Sequence, residues 1–361
     1  MYMKKKSVGI SMVITCYNRA QFIKESIISC IKQEYDGPKQ IIIVDDASTD
    51  NSVEVIEETI HKFGDGQDIE LIRLPENRGV AGATDAGWAK SKHEWILIVD
   101  GDDIQDPLRC YYVNEVVQAF PSAIQLAFCL QYINEFGKKG HYSSYAAGYD
   151  FETSPEQIII DSPQKSYNNW FGELNQPRLK CVGATLAFSR KLYDLWGSIC
   201  QGETKDLRVE QDFVLGFRAA LLSNIVGKKR VVLQYRIHSQ NLSNIIRSDG
   251  FRGVIESELF QDTRYQAFRA ASLQCMLRDI RWAKERRELT NWPIEMLEKA
   301  EITIRQELAG CEMRDKWWQC NWFERLRRAL YYRNKVHKKD KVWIRLLPFR
   351  LFCLLKYLRK R

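Results

Sequence analysis

The chain has 361 residues and 45% hydrophobic content, enough for a buried core in one large domain or two smaller ones, which excludes a disordered or low-complexity chain. Its ten cysteines form no C-x-x-C pair, so they point to free thiols in a reducing compartment and away from a zinc site or a disulfide framework. The net charge of +8 is uneven: Arg333 to Arg361 holds eleven Lys/Arg against one acid, Asp340, and this +10 leaves residues 1–332 at about −2.

Residues 7–15 read as a buried strand. The apolar run behind the basic start is too short for a signal peptide and stops at Thr15-Cys16-Tyr17-Asn18-Arg19. Phe22, Ile23, Ile27, Cys30 and Ile31 recur at helical spacing and predict a helix over about 20–33. After the break at Gly37-Pro38 comes a second strand, Gln40 to Val44, ending at Asp45-Asp46, and then a helix over about 51–63 for which Ser48 or Asp50 is the expected cap. Ile69 to Leu74 is a third strand. A turn at 75–79 leads into a helix of small residues reaching about Ser91. Glu94 to Val99 is a fourth strand that runs straight into Asp100-Gly101-Asp102-Asp103.

Beyond this the pattern loosens. A helix near 107–119 and a strand near 124–133 are expected. The polar and aromatic stretch 134–180 reads as a long loop region over a site, Cys181 to Ser189 as a strand, 209–223 as a helix, Val231 to Tyr235 as a strand, and 254–332 as almost wholly helical. No stretch is long and apolar enough to span a bilayer. Strands alternating with helices imply an α/β fold with a mostly parallel sheet flanked by helices, in which ligands sit at the carboxyl ends of strands. The clusters at Thr15–Asn18, Asp45-Asp46 and Asp100–Asp103 all lie at such ends.

Three carboxylates within four residues at Asp100-Gly101-Asp102-Asp103 repel one another unless a cation sits among them, and hard divalent metals favour such oxygens. A solvated acidic turn would account for a bare D-x-D, but not for its place after a buried strand beside two other clusters. At Asp45-Asp46 a helix cap accounts for one polar residue and leaves a carboxylate able to accept hydrogen bonds from a base or ribose. Glu210-Gln211-Asp212 opens an apolar helix; the helix dipole favours an acid there, and a general base for an acceptor hydroxyl is the functional reading. His238, after a strand, is a candidate metal or phosphate contact.

Together these stretches resemble the family 2 inverting glycosyltransferases of the GT-A fold. The likeness rests on Val13–Arg19, Ile43–Asp50, Asn77–Ala83, Trp95–Asp103 and Glu210-Gln211-Asp212; it is clear over 7–108, weakens through 109–245 and is lost beyond about 250. It implies a Rossmann-like sheet with a helical C-terminal extension. The implied division is 1–105 for the nucleotide-sugar half, 106–245 for the acceptor half and 246–361 for the extension. By the resemblance Thr15 and Tyr17 line the nucleotide pocket, Asp46 binds the base, and Asp100 and Asp102 hold ribose, diphosphate and a divalent metal, Mn²⁺ or Mg²⁺. Asp103 and His238 stand by the metal, and Asp212 is the catalytic base. Asp85 takes a nucleotide-side position where the family usually has Asn; Thr15 stands where it often has proline, and Gln211 where an acid is commoner.

The implied reaction moves a sugar from a nucleotide-sugar donor, UDP-linked, to a hydroxyl of a glycan or lipid-linked glycan acceptor, as in polysaccharide, O-antigen or capsule synthesis. A non-catalytic membrane-associated scaffold is the alternative. A nucleotidyltransferase ranks lower, because the loop after the first strand has no glycine. Residues 342–361 interleave Trp343, Phe349, Phe352 and leucines with Arg345, Arg350, Lys356 and Arg359-Lys360-Arg361, which suits an anionic membrane surface. No recognition module for nucleic acid accompanies the charge. The expected place is cytoplasmic, peripheral on the cytoplasmic face of the membrane.

Overall fold

The structure, a computed structural model, describes residues 7–143, 155–171, 182–199, 209–238, 241, 266–336 and 345–358. Two compact units emerge: residues 1–238 with 282–293, and residues 239–281 with 294–361.

The first unit opens as the hydrophobic periodicity predicts. Strands β1 (Ile10–Cys16), β2 (Lys39–Asp45), β3 (Ile69–Arg73) and β4 (Trp95–Asp100) alternate with helices α1 (Ile23–Ile31), α2 (Ser52–Phe63) and α3 (Gly79–Lys90). β1, β2 and β4 are buried runs rich in Ile, Val and Leu, as parallel strands covered on both faces must be. The order β3-β2-β1-β4 is parallel throughout. Its register sets Thr15 opposite Asp100 and Cys16 opposite Asp45, so the polar clusters at the strand ends share one edge.

The second half of the sheet is less regular. β5 (Ile104–Gln105), α4 (Arg109–Ala119), β6 (Gln125–Asn134), β7 (Lys139–Ser143), β8 (Gln157–Ile160), α5 (Pro163–Phe171), β9 (Leu186–Ser189), α6 (Arg190–Trp196), α7 (Gln211–Leu222) and β10 (Ile225–Ile237) follow. Among the described residues they extend one ten-stranded sheet in the order β3-β2-β1-β4-β9-β6-β10-β5, with β7 beside β6 and β8 beside β10. β9 is antiparallel to both neighbours, while β10 and β6 run parallel.

Three expectations need correction. The stretch 134–180 is not one loop: it holds β7, β8 and α5, while Tyr145, Tyr149 and residues 172–180 lie outside the described residues. β8 is only four residues, too short for a periodic signal. α5 presents Tyr167, Trp170 and Phe171 at helical spacing, where they pack on Phe213, Phe217 and Trp292. The segment ending at Ser189 forms a short 3₁₀ turn, Gly183–Thr185, before β9 begins. The N-cap of α2 is Asn51, and the Asp50 carboxylate beside it accepts from Ser52 N at 3.0 Å.

The second unit is helical where described. It takes Gln266–Glu285 as far as Arg281, then Ile294–Arg314, Trp322–Tyr332 and Phe349–Leu358. Met313, Trp317, Ala329 and Val336 form one of its buried clusters. Phe349 and Phe352 stack on Trp318, with ring centroids 4.8 and 5.2 Å away. One side of the last helix is therefore packed, and Leu351, Leu354, Leu355 and Leu358 are exposed on the other. Residues 342–344 and 359–361 lie outside the described residues. No helix among the described residues is long and apolar enough to cross a membrane.

Candidate functional site

The loops after β1 and β2 are tied together. Asn18 N donates to Ser48 Oγ at 2.9 Å, Arg19 N to Ser52 Oγ at 2.8 Å, and Thr49 N to Asn18 Oδ1 at 2.8 Å. Asn18 and Ala47 both have left-handed backbones, at φ 53° and 58°. That conformation is unfavourable for alanine by about 1 kcal/mol, and the loop contacts hold it. Asp46 follows from this frame. It is buried, and its Oδ1 accepts from Arg78 N at 2.6 Å. Burial outweighs the Arg78 and Gly79 amides and pushes its carboxyl up to about 6. Tyr17 is half exposed at the rim, and Thr15 lies one strand from Asp100.

The acidic turn is built by close approach. Gly101 N donates to Thr15 O at 3.0 Å, and a Cβ on Gly101 would meet that same oxygen at 2.8 Å. Because the obstacle is backbone of the central strand, Gly101→Ala should lower stability by about 1–3 kcal/mol, measured by chemical denaturation. A variant as stable as the parent would mean that β1 and the turn can part freely.

Ligand oxygens of Asp100, Asp102 and Asp103 lie within 4.8 Å of one another. The three acids are held quite differently. Asp102 Oδ2 receives Arg19 Nε at 2.9 Å and faces His238 Nε2 at 3.0 Å. Burial opposes ionisation of Asp102, but the hydrogen bond with His238 and the Arg19 guanidinium outweigh it and hold the carboxyl below its usual range. Asp103 is wholly buried; its Oδ1 accepts from Arg236 N at 2.9 Å, and its Oδ2 has no partner. Burial, Asp102 and Asp100 push Asp103 well above the carboxylate range. Burial, Asp102 and Asp212 push Asp100 up to about 7. A buried unpartnered oxygen within a hard, all-oxygen cluster is a donor set that fits a divalent cation.

Asp212 sits in the first turn of α7, where Gly183 N donates to its Oδ2 at 3.0 Å and Phe213 N to its Oδ1 at 2.9 Å. Gly183 permits this approach, since a Cβ there would stand 3.2 Å from the Asp212 Cβ. The turn Gly183–Thr185 packs on both β4 and α7, which brings the Asp212 charge to bear on Asp100. Asp85, on α3, accepts from Ser198 Oγ at 2.5 Å and Ile199 N at 2.8 Å, so both its oxygens face the segment after α6.

Three cations complete the site that sequence reasoning had not assigned to it. Arg19 was visible only as a motif neighbour. Arg236 donates through Nε to Asp102 O at 2.9 Å, through Nη1 to Glu135 O at 3.0 Å, and to Glu25, with its guanidinium 4.9 Å from the Phe22 ring centre. Arg109 is fully buried under the turn, donating to Ile98 O at 3.2 Å and Leu186 O at 3.0 Å, and burial lowers it to about 10. A buried arginine beside buried acids needs a charge partner; that reasoning singles out Arg109 only once burial is known.

Comparison with known proteins bears on the family and the fold. The sequence pattern described as "Glycosyl transferase family 2" matches residues 11–186. The poly-beta-1,6-N-acetyl-D-glucosamine synthase of Staphylococcus epidermidis is 33% identical over 107 residues, 30% of this chain and 25% of that protein. Its counterpart in Staphylococcus aureus (strain COL) is 32% identical over the same length. The match thus spans about a quarter of the length of these curated relatives. The crystal structure of S. aureus TarS 1–349 in complex with UDP superposes with a TM-score of 0.51 at 14% identity, over 98% of this chain and 92% of that one, and shows the shared fold. Residues 11–186 thus match glycosyl transferase family 2, and the sheet has a GT-A-type fold continued by a helical C-terminal region.

Proposed function

We propose that the chain is an inverting glycosyltransferase that moves a sugar from a UDP-linked donor to a hydroxyl of a glycan or lipid-linked glycan acceptor, in the synthesis of a polysaccharide such as an O-antigen or capsule. The observation that carries the reading is Asp103 Oδ2, buried and unpartnered within a cluster of three carboxylates. In this reading Thr15 and Tyr17 border the nucleotide, and Asp46 accepts from the base. Asp100 and Asp102 face ribose and diphosphate, and Asp102 and Asp103 with His238 hold the divalent cation. Asp85 bears on the nucleotide side through the segment at Ser198-Ile199 that it holds. When bound, the cation neutralises charge on the leaving diphosphate. Asp212 takes the proton of the acceptor hydroxyl as that oxygen attacks the anomeric carbon. The bond to the diphosphate oxygen breaks on the opposite face, and configuration inverts. The two amides on Asp212 orient its carboxylate in advance.

UDP-N-acetylglucosamine is the first donor to test, because the relatives are named for N-acetylglucosamine polymers. A panel of nucleotide sugars, each with Mn²⁺, Mg²⁺ or chelator, should show cation-dependent hydrolysis or transfer for a UDP-sugar. Binding and turnover indifferent to the cation would reject the role given to the acidic turn, and no turnover with any donor would favour a scaffold. The exposed leucines of helix Phe349–Leu358, set among the basic residues of the tail, support attachment of 342–361 to an anionic membrane on the cytoplasmic face. Lipid-linked acceptors would meet the enzyme there.

A further inference from the structure

A second element of the same helical unit carries the signature of a lipid contact. Helix Trp322–Tyr332 is fixed at its start by Asn321, whose side chain accepts from Glu324 N at 2.9 Å. Ala329 faces inward onto Met313, Trp317 and Val336. On the outer side Phe323, Arg327, Leu330 and Tyr331 recur at helical spacing, with Phe323 78%, Tyr331 61% and Leu330 46% exposed. An exposed face of this kind marks an interaction surface, and scattered single residues do not.

Its charge identifies the occupant. Residues 322–336 hold five Lys/Arg against one acid, Glu324, which lies 3.5 Å from Arg328. The Lys335 ammonium stands 3.5 Å from the centre of the Tyr331 ring, so basic and aromatic groups are interleaved at the surface. An apolar protein partner would match the rings and strand the cations, whereas an anionic leaflet accepts both: aromatic rings at headgroup depth and guanidinium or ammonium groups on the phosphates. We propose that helix Trp322–Tyr332 lies on an anionic membrane surface through Phe323, Leu330, Tyr331 and Arg327, as a second contact beside the tail. The proposal extends the membrane reading of the tail and is separable from it. A second contact turns marginal, reversible binding into stable attachment, as two signals do for membrane anchors generally.

The test uses the full chain and flotation with vesicles, either pure phosphatidylcholine or phosphatidylcholine mixed equally with phosphatidylglycerol. The parent protein should float with the anionic vesicles only. Phe323→Ser combined with Leu330→Ser should weaken that partition about tenfold while the circular dichroism spectrum and nucleotide-sugar binding stay unchanged. Arg327→Glu should weaken it on anionic vesicles in a salt-dependent way. Leu354→Ser with Leu358→Ser tests the tail separately. If the Phe323 and Leu330 variant floats like the parent while the tail variant does not, this helix is no membrane contact and the tail reading stands. If the parent does not float at all, both fail. If the parent is an oligomer that this double substitution dissociates, with no effect of lipid, the face binds a second copy of the chain and the proposal is overturned.

Discussion

Asp212→Asn should lower kcat by about two to four orders of magnitude, the range a positioned general base supplies, while nucleotide-sugar affinity stays within about twofold of the parent. The substitution is nearly isosteric. Because both carboxylate oxygens accept backbone amides, from Gly183 and Phe213, the amide side chain leaves one of them without an acceptor. That costs about 1 kcal/mol of local stability, too little to unfold the first unit. The carboxylate also places negative charge near Asp100, so the variant should ease protonation stress at the acidic turn rather than damage it. Titration calorimetry with a UDP-sugar and initial rates of transfer separate the two effects. Transfer near the parent rate would remove Asp212 from the chemistry, and loss of both binding and transfer would make it a structural residue.

Divalent cation should bind more tightly as pH rises from about 6 to 8, by up to about tenfold per pH unit for each proton released. The sign follows from the burial and crowding of the cluster. In the folded chain burial and the neighbouring acids push Asp100 to about 7 and Asp103 well above its ordinary value. Between the ordinary carboxylate range and those raised values the folded chain holds protons that the unfolded chain has lost. Stability contributed by these groups is complete below the unfolded values and falls as pH rises through the folded ones. A bound cation replaces the protons and offsets that loss, so the increase in Tm with Mn²⁺ should widen from pH 6 to pH 8. Calorimetry in two buffers of different ionisation heat counts the protons. Asp103→Asn should weaken cation binding by on the order of a hundredfold or more, since even outer partners of metal ligands are worth about ten- to a hundredfold. Asparagine imitates the neutral acid, so without cation the variant should be at least as stable as the parent at pH 8. Cation affinity that does not change with pH would overturn this account of the cluster.

The features legible in the sequence were those carried by local pattern. Ile41–Val44 and Ile96–Val99 announce buried strands by composition, and the clustered acids that end these apolar runs stand out. Asp46, Asp102 and Asp103 stand out on that basis, and Asp212 stands out as an acid opening an apolar helix. What pattern could not show depends on distant contacts. Arg109 looks like any arginine opening a helix until Leu186 O and Ile98 O close around it. Arg236 reads as a strand residue until its amide meets Asp103. β9 inserts antiparallel between β4 and β6 on four residues, too few to carry direction or partner in their composition. The family resemblance gives Asp85 a nucleotide-side place, and no local pattern shows that its oxygens accept from Ser198 and Ile199, more than a hundred residues onward.

The grip of β10 on the acidic turn also bears on the order of assembly. Asp103 Oδ1 and Asp102 O are held by Arg236, 133 and 134 residues later, and His238 follows 136 residues after Asp102. The four parallel strands can collapse from nearby contacts, but the loop that returns Arg236 closes slowly and last in chain order. A nascent chain released only through β9 holds its acids with Arg19 and Arg109 and lacks the later clamp. The acidic turn is therefore complete only once β10 has been made, and cleavage anywhere between β6 and β10 should loosen that turn while leaving β1 to β4 folded.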